Sequence, residues 1–223
     1  MPQHRIPLEP ERMYHIWTHA NGSDDLFRCD ENYRYFLEKY TMHVYPVVET
    51  FAYCLMPNHL HLMIQVRDQG TLHEVRTKKT LQNRNLQSVE TLEGSKTLQG
   101  FKTLGGFGPL VSKRFSNLFN SYAQSYNAMY NRKGSLFIPN FGRKLIDSDT
   151  YFTALISYIH NNAVHHGFVK SPDNWPYSSW HAYLNNKATK INKQVGLQWF
   201  GGLQEFIDFH QKMADSNQYP ELI

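Results

Sequence analysis

The run His59–Val66, with the sequence HLHLMIQV, restricts the fold more than any other segment of the chain. Successive side chains of a β-strand point to opposite faces of the sheet. The leucines, isoleucine and valine of the run therefore share one face, whereas His59 and His61 share the other. The aliphatic face requires a cover of helices, so the sequence predicts a strand within a sheet that is packed against helices.

Strand and helix patterns alternate on both sides of this run. Alternating or β-branched segments predict strands, and apolar residues spaced three and four apart predict helices. We predict a strand over 14–20, a helix over 30–43, a hairpin over 47–66, a helix near 111–131, an extended segment near 134–146 and a helix over 148–163 capped by Asp147 or Ser148. This order predicts an α+β fold, namely a ferredoxin-like, antiparallel-rich sheet with helices on one face and a helical C-terminal tail.

Composition excludes several classes of protein. The chain has 223 residues, of which 41% are apolar, enough for one sizeable core. Its two cysteines, Cys29 and Cys54, cannot form a disulfide framework or a four-thiolate zinc site. Neither a membrane-spanning apolar run nor the apolar core of a signal peptide is present, so we expect no membrane partner and a cytoplasmic location.

Basic residues concentrate in one part of the chain, although the formal net charge is only +4. The stretch 94–146 contains no acidic residue, and aromatic side chains are interleaved with its cations. Cations bind phosphates and rings stack on unpaired bases, so this mixture is typical of nucleic-acid binding, although rings at helical spacing also suit a core. The DNA-binding candidates are Lys113, Arg114, Arg132, Lys133, Arg143 and Lys144.

Residues 76–108 contain repeated Lys-Thr-Leu and Glu-Thr-Leu units that end in glycines. Each unit has one leucine, too little apolar surface for a stacked repeat. We predict a flexible basic insertion here, with a DNA-gripping arm as the alternative. The main domain is then expected over 1–185 and a helical C-terminal extension over 186–223. When the protein is bound to DNA, we expect it to be associated with the nucleoid.

Two local patterns suggest a reactive site. His59 and His61 can both present a ring nitrogen to one divalent ion, although such a pair is more often hydrogen-bonded or at the surface. Tyr158 and Asn162 are four residues apart and project from the same face of the predicted helix. A tyrosine at this position could also serve only in packing.

Four blocks in order give these patterns a context: CLMPNHLHLM at 54–63, NRKGSLF at 131–137, YIHNNAV at 158–164 and WPYSS at 175–179. Over residues 12–182 the chain resembles the single-tyrosine transposases of the HUH endonuclease superfamily, in particular the insertion-sequence-200-like and REP-associated tyrosine transposases. Two features differ from that family. Ala163 stands where the family commonly has proline, and the insertion is longer.

The resemblance implies roles for particular residues. His59, His61 and Asn162 correspond to the metal ligands, and Tyr158 to the nucleophile. The implied activity is cleavage and rejoining of single-stranded or hairpin DNA with Mg²⁺ or Mn²⁺, through a 5′-phosphotyrosine intermediate. The general base is not identified, with His160 and His165 as candidates, and either a homodimer or a monomer is compatible with the sequence.

Two other functions are alternatives to this one. A non-catalytic DNA-binding protein on the same scaffold is the main alternative, but it has no need of all four implied site residues. A hydrolytic metalloenzyme is disfavoured because the sequence has no H-E-x-x-H motif and no carboxylate next to the histidines.

Overall fold

The computed structural model describes residues 6–87 and 106–216, with the side chains of 79–87 and 215–216 left out. The strands are β1 (Met13–His19), β2 (Val48–Leu55), β3 (His59–Val66) and β4 (Gly142–Leu145). The helices are α1 (Asp30–His43), α2 (Gln69–Gln87), α3 (Gly108–Met129), α4 (Asp149–His165), α5 (Trp180–Leu184), α6 (Lys193–Phe200) and α7 (Leu203–Ser216). The predicted strands and helices are present with ends displaced by a few residues, except that the predicted extended segment 134–146 contains only the four-residue strand β4.

The four strands form one antiparallel sheet in the order β2-β3-β1-β4. Along the chain the elements follow a β-α-β-β-α-β succession, in which α2 and α3 together fill the second helical position. The α+β class and the antiparallel sheet are therefore confirmed. In this arrangement β1 and β3 are the two central strands, so His59–Val66 lies beside Met13–His19.

Helices α1 and α3 cover one face of the sheet. The even-numbered aliphatic residues of β3 lie on this face, together with Tyr14 and Ile16 of β1. They pack against Phe36 of α1 and Phe115 of α3, and all of these side chains are buried. This core follows from the alternation of β3, as predicted.

Helix α4 covers the opposite face, so the predicted arrangement with helices on one face is corrected to one with helices on both. Leu155, Ile156 and Ile159 of α4 pack against Phe51 and Met63 of the sheet, and α7 adds Phe206 to this second core. The alternation of β3 assigns His59 and His61 to the second face but does not show whether that face is covered. A neutral imidazole with hydrogen-bond partners can be buried, and here all of β3 except Gln65 is buried.

The predicted insertion at 76–108 is corrected in its first part, because α2 continues as a helix to Gln87. The side chain of Asp68 explains where this helix begins. Its carboxylate accepts hydrogen bonds from the backbone N–H of Thr71 at 3.0 Å and from the Thr71 hydroxyl at 2.6 Å. Residues 88–105 of the predicted insertion lie outside the described residues.

Within the described ranges, no helix is both long and apolar enough to cross a membrane.

Candidate active site

The candidate residues meet between β3 and α4. The Ser148 hydroxyl caps α4 by accepting a hydrogen bond from the backbone N–H of Tyr151 at 3.3 Å, as the sequence predicted for this position. The apolar face of the helix then fixes its rotation over the sheet. Tyr158 and Asn162 are placed next to the histidine face of β3 as a result.

His59, His61, Tyr158 and Asn162 form one cluster, as the sequence predicted. Nε2 of His59 lies 3.0 Å from Oδ1 of Asn162, and the ring of Tyr158 stands edge-on to that of His61 with centroids 5.5 Å apart. The two histidines and the asparagine are at most 3% exposed, whereas Tyr158 is partly exposed. Tyr158 is therefore the one side chain of these four that reaches the surface.

Two further polar residues orient the histidines, and the sequence analysis missed this role for both. Nε2 of His15 on β1 lies 2.9 Å from Nδ1 of His61, and Oδ1 of Asn58 lies 2.8 Å from Nδ1 of His59. Each contact holds the Nδ1 side of a ring, which leaves Nε2 for another ligand. The pairing register of β1 with β3 could have identified His15, but that register cannot be read from either strand alone.

Both nitrogens of His59 face amide oxygens, those of Asn58 and Asn162. Burial lowers the pKa of His59 to about 4, so the ring is neutral at pH 7 and carries a single N–H. If Nδ1 donates to Asn58, the lone pair of Nε2 faces the oxygen of Asn162. In that tautomer Nε2 and Oδ1 could serve as adjacent ligands of one cation, whereas in the other tautomer the Nε2–H group donates to Oδ1.

This donor set fits a divalent cation with open coordination positions. Two neutral imidazoles and one amide oxygen suit Mg²⁺ or Mn²⁺ shared with a phosphate better than a structural zinc ion. The 3.0 Å between Nε2 of His59 and Oδ1 of Asn162 is close to the separation of adjacent octahedral ligands, roughly 3 Å for bonds of about 2.1 Å. This candidate set has only two histidines and an asparagine. Over residues 6–87 and 106–216, no group of three or more His, Cys, Asp or Glu side chains is placed to hold a metal ion.

Two more histidines flank His59. His19 of β1 stacks on the His59 ring with centroids 4.9 Å apart, and His166, just after α4, lies 4.7 Å from the same ring. Burial and the nearby His166 lower the pKa of His19. The site is thus richer in imidazole than the two-histidine motif indicates.

The environment of Tyr158 keeps its hydroxyl protonated. Burial raises the pKa of Tyr158 above its usual value of 10, and the interaction with Asn162 opposes this effect only in part. The ring of His165 stacks on Tyr158 with centroids 5.9 Å apart. Of the two candidate bases, His165 is therefore the one whose ring contacts that of Tyr158.

His160, the other candidate base, belongs to a separate hydrogen-bonded chain. Its Nε2 lies 2.7 Å from the hydroxyl oxygen of Ser179, and its Nδ1 lies 3.0 Å from Nε2 of His210 on α7. Both histidines are buried. His160 thus has a structural position that connects α4 with the C-terminal helix.

Three other tyrosines, Tyr122 and Tyr126 of α3 and Tyr130 just after it, form hydrogen bonds away from the candidate site. The hydroxyls of Tyr122 and Tyr126 each donate to a backbone carbonyl at 2.5 Å, and that of Tyr130 donates to Oδ1 of Asn32 at 2.9 Å. Tyr122 and Tyr126 are buried as well. These three hydroxyls are therefore bonded outside the cluster of His59, His61, Tyr158 and Asn162.

The six basic candidates for DNA binding occupy different environments. Arg132 is held by the Asp24 carboxylate and by the carbonyl oxygen of Ser135, so it joins two loops. Lys113 and Lys133 are exposed, Arg114 is partly buried, and Lys144 lies over the ring of Tyr151. The structure thus gives Arg132 a structural role, which the sequence analysis missed.

Arg143 lines a groove of about 550 Å³ between α3 and the segment 134–141. Its guanidinium donates to the hydroxyl of Ser112 at 3.1 Å and lies over the ring of Phe141. The α3 side of the groove presents Ser116, Asn120, Gln124 and Asn127, and no described acidic residue lines it. Its uncharged polar wall and single cation are compatible with a nucleic-acid backbone.

The chain is similar to a curated protein and to a solved structure. No protein-family model matches the chain. A protein of Haemophilus influenzae (strain ATCC 51907 / DSM 11121 / KW20 / Rd), named "Putative REP-associated tyrosine transposase", is 28% identical over 145 residues. The match covers 64% of each chain, so this chain spans somewhat less than two thirds of the relative's length.

The solved structure is that of a REP-associated tyrosine transposase bound to a REP hairpin, with a TM-score of 0.53. The similarity covers 82% of this chain and 86% of that one at 14% sequence identity, which shows a shared fold. Sequence and fold therefore agree, and the resemblance of this chain to the REP-associated tyrosine transposases is confirmed.

Proposed function

We propose that this chain is a metal-dependent strand transferase that cleaves and rejoins single-stranded or hairpin DNA through a 5′-phosphotyrosine intermediate. The observation that carries the proposal is the placement of Tyr158 and Asn162, one helical turn apart, against the two buried histidines of β3. A nucleophile and three candidate metal ligands meet there. The solved relative is bound to a REP hairpin, which supports hairpin DNA as the class of partner.

His59, His61 and Asn162 would hold the cation, with His15 and Asn58 orienting the two imidazoles. When bound, Mg²⁺ or Mn²⁺ supplies a Lewis acid that polarises the scissile phosphate. The burial of all three ligands keeps bulk water away from one side of the site. The partly exposed ring of Tyr158 defines the side from which DNA approaches.

In the cleavage step, the hydroxyl oxygen of Tyr158 attacks phosphorus and forms the tyrosine–phosphate ester. The bond between phosphorus and the 3′ oxygen breaks, so the phosphate stays on the 5′ side and the leaving oxygen becomes a free 3′-hydroxyl after it gains a proton. The phenolic proton must be removed during attack because Tyr158 is neutral at pH 7. His165, whose ring stacks on that of Tyr158, is our candidate to accept it.

Rejoining is the reverse reaction with a second strand. A 3′-hydroxyl attacks the phosphotyrosine, the bond to Tyr158 breaks, and a phosphodiester forms. The number of phosphate esters is unchanged in both steps, so no ATP is needed. An exposed phosphate flanked by unpaired nucleotides can align with a helix-borne tyrosine more readily than one in a rigid duplex.

The direct test mixes the purified protein with labelled single strands copied from the DNA that flanks its gene. In Mn²⁺ we expect a covalent protein–DNA adduct on a denaturing gel, and with EDTA we expect none. Asn162→Ala should reduce adduct formation while the strand still binds. Strand binding without any adduct would instead support the non-catalytic DNA-binding alternative.

A further inference from the structure

We propose that Trp17 is a stacking platform for an unpaired base next to the scissile phosphate. This inference rests on the proposed function and adds a binding site for the nucleobase, which none of the residues discussed above provides. The position of Trp17 in the sheet register, its neighbours and its separation from both cores support it.

The strand register places Trp17 on the same face as the candidate metal ligands. Trp17 of β1 pairs directly with His61 of β3 on one side and with Gly142 of β4 on the other. Side chains of directly paired residues in an antiparallel sheet project from the same face. The indole therefore lies in the row next to His61, toward the edge strand.

Aromatic contacts connect Trp17 with the nucleophile through one residue. The Trp17 ring lies 4.8 Å from that of His15, and His15 in turn lies 6.4 Å from the ring of Tyr158, measured between centroids. A base stacked on Trp17 would therefore be a near neighbour of the phosphate that Tyr158 attacks.

Gly142 accommodates the indole. A Cβ atom at this position would lie 2.2–2.6 Å from three atoms of the Trp17 ring, so only glycine lets the ring settle over the edge strand. Its φ angle does not lie in the left-handed region that favours glycine, so a close approach is the reason for glycine here.

Trp17 does not act as a core residue. It is partly exposed and belongs to neither of the two apolar cores of the described chain, although other partly buried rings, such as Tyr158 and Tyr177, join them. Base–aromatic stacking uses a partly exposed ring of this kind and accepts any base. The cation of Lys144, paired with His15 on the same face, suits the adjoining phosphate.

The test measures affinity for a single strand from the gene's flanks by fluorescence anisotropy, with Tyr158→Phe in every protein to prevent covalent capture. Trp17→Leu should weaken binding about fivefold or more, which is the lower end of the stacking contribution of one base. Trp17→Phe keeps a smaller ring and should therefore lose less affinity for the strand than Trp17→Leu does. Trp199→Leu is the matched control, because Trp199 is 39% exposed on α6 and stacks on Phe152.

An abasic scan locates the base. Each base of the strand is removed in turn. At one position, adjoining the cleaved bond, this removal should weaken binding to the protein with Trp17 but not to Trp17→Leu. Gly142→Ala should behave like Trp17→Leu in this scan, because the added methyl group displaces the indole without removing it. If Trp17→Leu does not fold, Trp17→Phe and Gly142→Ala decide the question.

The outcomes separate this inference from the proposed function. If the chain with Tyr158 intact forms the covalent adduct but Trp17→Leu binds as well as Trp199→Leu, the platform is wrong and the transferase stands. Equal abasic penalties in both proteins would overturn the platform in the same way. If the unsubstituted chain neither binds single strands nor forms the adduct, both proposals fall.

Discussion

Nδ1 of His61 lies 2.9 Å from Nε2 of His15, across the pairing of the two central strands. Both side chains are buried, at 1% and 0% exposure, so the contact has no competition from water. A histidine held at Nδ1 presents Nε2 in a fixed direction. The contact therefore connects a residue near the beginning of the chain with the candidate metal ligand His61.

We expect His15→Leu to lower Mn²⁺ affinity by about 10- to 100-fold, the usual effect of losing a partner that orients a metal ligand. His15→Gln places an amide where Nε2 stood and should retain more of the affinity. Titration of Mn²⁺ followed by electron paramagnetic resonance measures this without any DNA. His73→Leu, an exposed position on α2, is the control. Equal affinities for His15→Leu and the control would show that His15 has no orienting role.

The His160–His210 pair predicts a loss of stability in acid. Burial lowers the pKa of His210 to about 3, from an ordinary value of 6.5. Between these pH values the unfolded chain binds a proton at His210 and the folded chain does not. The free energy of unfolding therefore falls as pH drops below 6.5, by up to roughly 1.4 kcal/mol per pH unit, until the pH reaches about 3.

Urea unfolding in EDTA over this pH range measures the effect. His210→Gln cannot titrate, so its stability should depend less steeply on pH than that of the unsubstituted chain. Identical slopes for the two proteins would mean that His210 is not buried in its neutral form.

Arg132 and Lys133 are adjacent in sequence but should respond differently to substitution. Arg132→Ala removes the bonds to Asp24 and Ser135 and should cost about 1–3 kcal/mol of folding free energy. Lys133 is exposed, and Lys133→Ala should leave stability unchanged and reduce the salt dependence of DNA affinity by about one phosphate contact. Chemical unfolding and binding at several salt concentrations measure the two effects. The reverse pattern would contradict these roles.

The sequence predicted the sheet and the main helices, and it placed Tyr158 and Asn162 on one helical face, because these features depend on local patterns. The alternation in β3 and the four-residue spacing of Tyr158 and Asn162 each define a face without knowledge of the rest of the chain. The four short blocks then specified which faces belong together.

The residues that were missed act through pairings between distant segments. His15, Trp17 and His19 lie on β1, where nothing local shows which strand they will adjoin. The cover of helices on both faces was missed for a related reason, because a buried neutral histidine looks like a surface position in a polarity pattern. Arg132 looked like a free cation because its partner Asp24 is far away in sequence.

The measurement that tests the account most directly is the identification of the residue joined to DNA. The chain is incubated with a labelled single strand and Mn²⁺, and the adduct is digested and mapped by mass spectrometry. We expect the 5′-phosphate on Tyr158, no adduct with Tyr158→Phe, and a normal adduct with Tyr126→Phe. Binding of the strand should survive Tyr158→Phe, because only one oxygen atom is lost. An adduct that persists in Tyr158→Phe and maps to Tyr126 or another tyrosine would contradict the assignment of α4 as the catalytic helix.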